Sequence, residues 1–308
     1  MAKFRSEIRK FIRPEDLDLL IDKMHKGAFV SKGRFTQKQR GIVEDFEWNH
    51  LDQIHRNFVH DAYHDSLRIA TSKDIAISMM AYKNLPIYIQ VADMRIDRGL
   101  FYQSYTFFGL LFCHQVNRMI QDGPDVILDI EWRTVSHKWL RFLHGIFNRK
   151  MHRLIDKQYR EDIPLRARRA EMRDQGFCFK TDEPDYLNSN LLTDMVIFPE
   201  SSRPSTFSIE QLTQGQRTKI KIGSLDLHAV RGLEGLTVWP AVCPHEGAEM
   251  HKEHFCNGEL ACPWHGRKFP PMSLKNGSKV FISNLELSLE NENLVLRQRA
   301  DKSQELSG

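Results

Sequence analysis

Residues 241–269 read AVCPHEGAEMHKEHFCNGELACPWHGRKF. In this stretch Cys243-Pro244-His245 is followed, after 16 residues, by Cys262-Pro263-Trp264-His265. Each half supplies one thiolate and one imidazole, as C-x-H and C-x2-H. Zinc sites also use two of each, but usually as a C-x2–4-C pair and an H-x3–5-H pair. Mixed halves suit a cluster of two unlike irons, with two sulfurs on one and two ring nitrogens on the other. Cys243, His245, Cys262 and His265 are therefore the candidate ligands of a [2Fe–2S] centre, with zinc as the alternative.

The flanking sequence is β-like. Segments 219–222, 225–230, 237–242, 280–283, 285–290 and 294–298 are short and apolar-alternating, and the turns Asn276-Gly277 and Asn291-Glu292-Asn293 fall among them. An all-β domain is expected over 207–300, with the two ligand loops forming its tip and 301–308 a polar tail. Upstream, 179–206 is rich in Pro, Ser, Asn and Asp and reads as a linker, with one strand near 195–198.

The chain has 308 residues, which suggests about two domains. Its 44 basic and 40 acidic residues leave a net charge of +4, a mixed surface that gives no argument for nucleic acid. No apolar run approaches the ~18 residues of a membrane span. The opening MAKFRSEIRKF lacks the apolar centre of a signal peptide. Beyond Cys243 and Cys262, the remaining cysteines (Cys113, Cys178, Cys256) make no disulfide framework, and a reducing, cytoplasmic setting is expected.

Residues 1–40 read as an amphipathic helical arm, with Pro14-Glu15-Asp16 opening a helix. Residues 41–178 read as one α+β domain. A short strand near 42–48 and a helix over 52–64 come first. Extended segments follow at 67–71, 75–82, 87–96, 101–112, 116–121 and 126–135, with turns at 84–86, 97–99 and 122–124. Residues 139–175 are helical, interrupted by Pro164, where Asp162 is suited to cap a second helix.

The first helix of this domain carries Asp52, His55 and His60 as D-x2-H-x4-H. Five residues turn an α-helix through about 500°, so the two rings diverge by about 140°. They meet at one metal only if the helix ends, bends or bulges between them. Two histidines and a carboxylate with open positions opposite are the ligand set of non-haem Fe(II) that activates O2.

Taken together, these motifs resemble the Rieske non-haem iron oxygenases. The resemblance rests on C-P-H and C-P-W-H-G around the four cluster ligands, and on D-x2-H-x4-H. The strand, helix, meander and long terminal helix of 41–178 resemble the helix-grip fold of START-like and polyketide-cyclase-like proteins, the fold of the family's catalytic domain. The domain order is reversed relative to most members.

The resemblance implies a mononuclear iron held by His55, His60 and a carboxylate. The acidic element Glu161-Asp162-Ile163-Pro164 offers Asp162, with Glu161 and Asp156 as fallbacks. It implies that Asp52 bridges the two metal centres, touching His55 and either His245 or His265. It implies O2 and a small hydrophobic or aromatic substrate, to be hydroxylated, desaturated or demethylated, and a ferredoxin or flavin reductase as electron donor. In the family a homotrimer lets one subunit's cluster serve its neighbour's iron; the linker would permit that, or service within one chain. High-potential Rieske proteins carry an extra cysteine in each ligand loop. Here Glu246-Gly247 and Trp264 occupy the loops and Arg267 follows Gly266, so a potential toward about −150 mV is expected. Two other functional classes stand beside it: an electron-transfer protein fused to a non-catalytic, lipid- or pigment-binding helix-grip domain, and a structural or sensor module in which the Rieske cluster reports redox state.

Overall fold

A computed structural model describes residues 18–19, 21–23, 25–71, 74–82, 88–107, 109–182 and 194–299. The chain divides into two units, 1–170 with 184–189 and 171–183 with 190–308. The expected helix opening at Pro14, residues 183–193 of the linker, the turn at 84–86 and the tail at 301–308 lie outside the described residues.

The first unit is a seven-stranded antiparallel sheet. Its strands are β1 (Phe29–Arg40), β2 (Tyr63–Thr71), β3 (Ile75–Tyr82), β4 (Tyr88–Asp97), β5 (Leu100–Phe107), β6 (Leu111–Asp122) and β7 (Asp125–Ser136), in spatial order β1-β7-β6-β5-β4-β3-β2. β2 to β7 form a continuous meander, and β1 closes the far edge against β7. A long helix, α3 (Arg141–Glu161), packs on the sheet. Its residues Phe147, Met151, Ile155 and Tyr159 recur every four positions and join Phe35, Ile89, Val91 and Trp132 in one apolar core. This is the α+β helix-grip arrangement that the element order predicts.

The structure corrects four local expectations. Residues 29–40, read as part of a helical arm, form the edge strand β1. Only Phe35 of this strand is buried, and Lys32, Arg34, Lys38 and Arg40 face solvent, so the period-two signal is muted by charge. Gly33 sits directly opposite Trp132, where a Cβ would come within 2.1 Å of the indole ring. The strand expected at 42–48 is instead helix α1 (Val43–Leu51), with Glu44 and Asp45 in its first turn. Its buried face includes Asp45, which pairs at 2.8 Å with Arg169, itself fully buried. Glu47, also buried, accepts from the Gly99 amide. Buried acids next to Phe46 and Trp48 mimic strand alternation.

The helix expected at 52–64 ends before it begins. Asp52 is extended (φ −76°, ψ 94°), and its carboxylate accepts from the Ile54 amide, which turns the chain. A single turn, α2 (Arg56–Val59), then runs between His55 and His60. Finally, 101–112 is not one segment: β5 and β6 are joined by a turn with Gly109 at φ 65°.

Beyond α3 the chain breaks at Asp162, before Pro164, and continues as α4 (Ile163–Asp174). The unit boundary falls inside α4, at 170/171, rather than at 178.

The second unit is β-rich. β8 (Cys178–Phe179) pairs with β9 (Val196–Ile197). One four-stranded sheet has the order β10-β20-β19-β18, from β10 (Ser205–Ser208), β18 (Lys279–Ile282), β19 (Leu285–Glu290) and β20 (Asn293–Gln298). A second is formed by β11 (Arg217–Ile222), β12 (Leu225–Arg231), β13 (Leu236–Pro240) and β17 (Met272–Leu274). A small three-stranded sheet of β14 (Phe255–Cys256), β15 (Glu259–Ala261) and β16 (Lys268–Phe269) carries the ligand region. Leucine, isoleucine and valine from both large sheets make one core with Met172, Phe177, Phe179 and Phe198.

Candidate metal centres

In the first unit, the break at Asp52 and the turn α2 bring His55 and His60 together. Their rings lie 5.2 Å apart at 62°. The angular conflict of a straight helix is removed because His55 precedes α2 and His60 follows it in extended conformation (φ −98°, ψ 112°). Asp162 closes α3 at the point where the helix yields to Pro164. Its Oδ1 lies 3.4 Å from His55 Nε2 and 3.3 Å from His60 Nε2. All three residues are buried, and these ligand atoms lie within 4.8 Å of one another. His55 Nε2 and Asp162 Oδ1 make no hydrogen bond. Orphaned buried polar atoms are costly, and two nitrogens facing one oxygen are suited to a shared cation.

Each ring is held from behind by a different acid. Asp52 Oδ2 is 3.3 Å from His55 Nδ1, and Glu161 Oε2 is 2.8 Å from His60 Nδ1. An Nδ1–H donated to a carboxylate fixes the tautomer and leaves the Nε2 lone pair inward. Glu161 thus sits behind a ring, while Asp156 pairs with Arg160 on the helix surface. Arg166, fully buried, lies 3.6 Å from Asp162 Oδ2 and bonds to Asn49 and Gln39.

Electrostatics follow from this packing. Burial opposes ionisation of Asp162, but His55 above all, with Arg166 and His60, outweighs it and holds the carboxyl at about 2. Burial also disfavours the His55 cation, yet Asp162 and Asp52 raise that imidazole to about 9. Burial lowers His60, with Asp162 working against it.

A cavity of about 80 Å³ adjoins the triad, with room for several waters. Its walls are apolar at Phe46, Met80, Ile89, Val91, Met151 and Ile155 and hydrogen-bonding at Asn49, His50, Gln103, Gln115 and Gln158. His50, for which the sequence offered no role, pairs at 3.2 Å with Asp93. Gln53, Gln103 and Arg56 also bond to this fully buried acid. Burial opposes its ionisation, but His50, Arg56 and Gln103 together hold the carboxyl below its ordinary value. The side chain of His64 lies outside the described residues.

In the second unit the two ligand loops are built alike. Cys243 N bonds to Ala248 O and Gly247 N to Cys243 O; Cys262 N bonds to Arg267 O and Gly266 N to Cys262 O, all at 2.8 Å. Gly247 and Gly266 close these turns at φ 93° and 64°, a conformation glycine adopts without strain. The loops bring Cys243 and Cys262 into contact, and burial together with Cys262 pushes the Cys243 thiol well up. Two buried thiols side by side ionise only beside a cation. The His245 and His265 rings are 5.0 Å apart, nearly perpendicular. His245 Nδ1 is buried without a hydrogen bond, and His265 Nδ1 lies 3.9 Å from Cys262 Sγ. These four side chains fit a cluster with two sulfur and two nitrogen ligands. All five cysteines are free, so no disulfide joins the loops.

Two features here were not legible in the motif. Glu246, 1 % exposed, places Oε2 3.2 Å from His265 Nε2 and Oε1 3.6 Å from His245 Nε2. Arg267 bonds to Asp194, whose other oxygen accepts from the Ser283 amide. The only signal for either was charge next to a ligand loop.

One family model matches part of the second unit. Residues 205–279 match the family model described as Rieske [2Fe-2S] domain, a span that holds all four candidate cluster ligands. No curated protein matches the chain. Among solved structures, the chain is similar to truncated norcoclaurine synthase from Thalictrum flavum at 9% identity, covering 39% of this chain and 84% of that one, with a TM-score of 0.33. It is similar to the Zhui aromatase/cyclase from Streptomyces sp. R1128 at 9% identity, over 35% and 70% of the two chains, TM-score 0.31. The Mll3558 protein from Rhizobium loti is similar at 8% identity, over 44% and 99%, TM-score 0.34. The second unit of the chain therefore contains a Rieske [2Fe–2S] domain, preceded by an α+β helix-grip unit.

Proposed function

We propose that the chain is a Rieske-type oxygenase. It would use O2 and electrons from a ferredoxin or flavin reductase to hydroxylate, desaturate or demethylate a small molecule with a hydrophobic or aromatic body. The observation that carries this reading is the convergence of His55 Nε2, His60 Nε2 and Asp162 Oδ1, with both Nδ1 atoms backed by carboxylates. A purely electron-carrying protein has no use for a second, buried two-histidine, one-carboxylate centre beside a cavity.

A mononuclear Fe(II) bound there would supply O2 activation, and the [2Fe–2S] cluster would supply electrons one at a time. The protein's own residues set the conditions. Asp52 and Glu161 hold the Nδ1 sides of the two rings, so that both Nε2 atoms aim inward. Arg166 holds one Asp162 oxygen and leaves the other for the metal. Phe46, Met80, Ile89 and Val91 give the substrate an apolar wall, and the Asp93 network fixes its polar edge. Asp52 would also reach a cluster histidine, His245 or His265, and so couple the two centres. Whether that pairing is made within one chain or across a homotrimer is part of the same proposal.

Iron analysis tests the reading directly. The reconstituted protein should carry about three irons per chain, two in the cluster and one outside it. His55→Ala should remove the third iron and turnover while leaving the cluster's visible spectrum intact. Iron that stays at two after anaerobic Fe(II) reconstitution would sink the oxygenase assignment.

A further inference from the structure

No Asp or Glu occurs between Glu131 and Asp156, an interval that begins in β7 and fills most of α3. The start of this helical segment exposes large apolar side chains. Trp139 is 61% exposed, Phe142 66% and Ile146 49%. Phe142, Ile146, Arg149, Lys150 and Arg153 follow at i, i+4, i+7, i+8 and i+11. At 3.6 residues per turn they share one stripe about 100° wide. The opposite face, with Met151 and Ile155, is buried on the sheet. The outer stripe is therefore aromatic at its N-terminal end and cationic along the rest. Among the described residues, none of its three cations meets a carboxylate. Ala28 and Phe29 border a groove beside Trp139 and Phe142.

We propose that this face docks the protein on an anionic lipid surface. Trp and Phe ringed by Lys and Arg suit the boundary between headgroups and acyl chains, where the rings enter and the cations meet phosphate and carboxylate. No helix among the described residues is long and apolar enough to cross a membrane, so the contact is peripheral. A second copy of the chain is a poor occupant: face-to-face pairing would set one uncompensated cationic stripe against another. Nucleic acid would leave Trp139, Phe142 and Ile146 against a hydrated phosphate backbone.

The test is flotation of the cluster-loaded full chain with two vesicle types. One is phosphatidylcholine alone; the other contains phosphatidylserine at roughly one lipid in three. The protein should float with the anionic vesicles and release at high salt. Trp139→Ala with Phe142→Ala, and separately Lys150→Glu with Arg153→Glu, should each lower partitioning by about tenfold or more. All four residues are exposed, so the cluster's visible spectrum should be unchanged in both variants and serves as the folding control. Absence of flotation, or equal flotation of wild type and both variants, overturns the proposal. So does a fall in native mass for the aromatic variant, which would assign the face to contact between copies.

Discussion

A metal bound at His55, as proposed, would have to displace a proton, and the structure sets the size of that effect. In the metal-free site, Asp162 and Asp52 hold the His55 imidazolium to about 9, while Asp162 stays ionised down to about 2. Between pH 6 and 9 the site therefore enters binding with one proton on His55 that the metal cannot share. Each pH unit well below 9 should weaken binding tenfold, so affinity at pH 7 is expected to be about 100-fold lower than for the fully neutral ring above pH 9, or about 3 kcal/mol. Above about 9 the dependence should flatten, because the ring is already neutral. The same shift has a stability sign. A raised histidine stabilises the metal-free fold most below its unfolded value of 6.5, and that contribution is lost as pH climbs through about 9. The assay is anaerobic calorimetric titration with Fe(II) of protein that keeps its cluster but has been stripped of the mononuclear metal by chelation. Running it in buffers of different ionisation enthalpy counts the protons released. About one proton per metal at pH 7 is expected. Affinity independent of pH from 6 to 9, with no proton released, would refute the argument. Asp52→Asn should lower the histidine's proton affinity and flatten the profile, while weakening the ring's alignment.

Glu246→Gln removes a negative charge that lies against both cluster histidines, so the oxidised cluster loses support and the reduction potential should rise. A tenfold change in the redox equilibrium, about 59 mV for one electron, is the expected scale, read by protein-film voltammetry. Arg169→Met would leave Asp45 buried without its cation and should cost about 3–5 kcal/mol in urea unfolding of the cluster-loaded protein. Gly33→Ala drives a methyl into the Trp132 ring and should cost about 1–3 kcal/mol, visible in the same unfolding curves and in altered indole fluorescence.

The meander was readable because its strands carry period-two apolar residues between strong turns. The expected segments at 75–82 and 285–290 match β3 and β19 residue for residue. β1 was not readable because an edge strand buries one side chain and shows charge elsewhere. α1 was misread because Asp45 owes its burial to Arg169, a partner more than a hundred residues away that no local pattern reveals. The candidate ligands stood out by spacing, since coordination geometry constrains which residues can converge. Of the acids behind them only Asp52 did, as part of D-x2-H-x4-H; Glu161 and Glu246 lie against rings, and nothing in a local sequence pattern marks them for that role. The substrate's surroundings were the least legible. The mixed polar and apolar cavity is assembled from one or two side chains each of β3, β4, β5, β6 and α2, three of α1 and five of α3.

The matched ligand loops have a mechanical consequence. Each loop offers one sulfur and one nitrogen, so with the cluster held as proposed each would touch both irons, and neither loop could hold a complete iron site alone. In a unit whose cysteines form no disulfide, the cluster would then be the cross-link that ties residue 243 to residue 265 and closes β14 and β15 into a ring. Such a closure restricts the unfolded chain much as a disulfide does. Loss of iron would then be in effect a strand scission at the tip, and the hairpin between the loops is where a protease would first find the apoprotein.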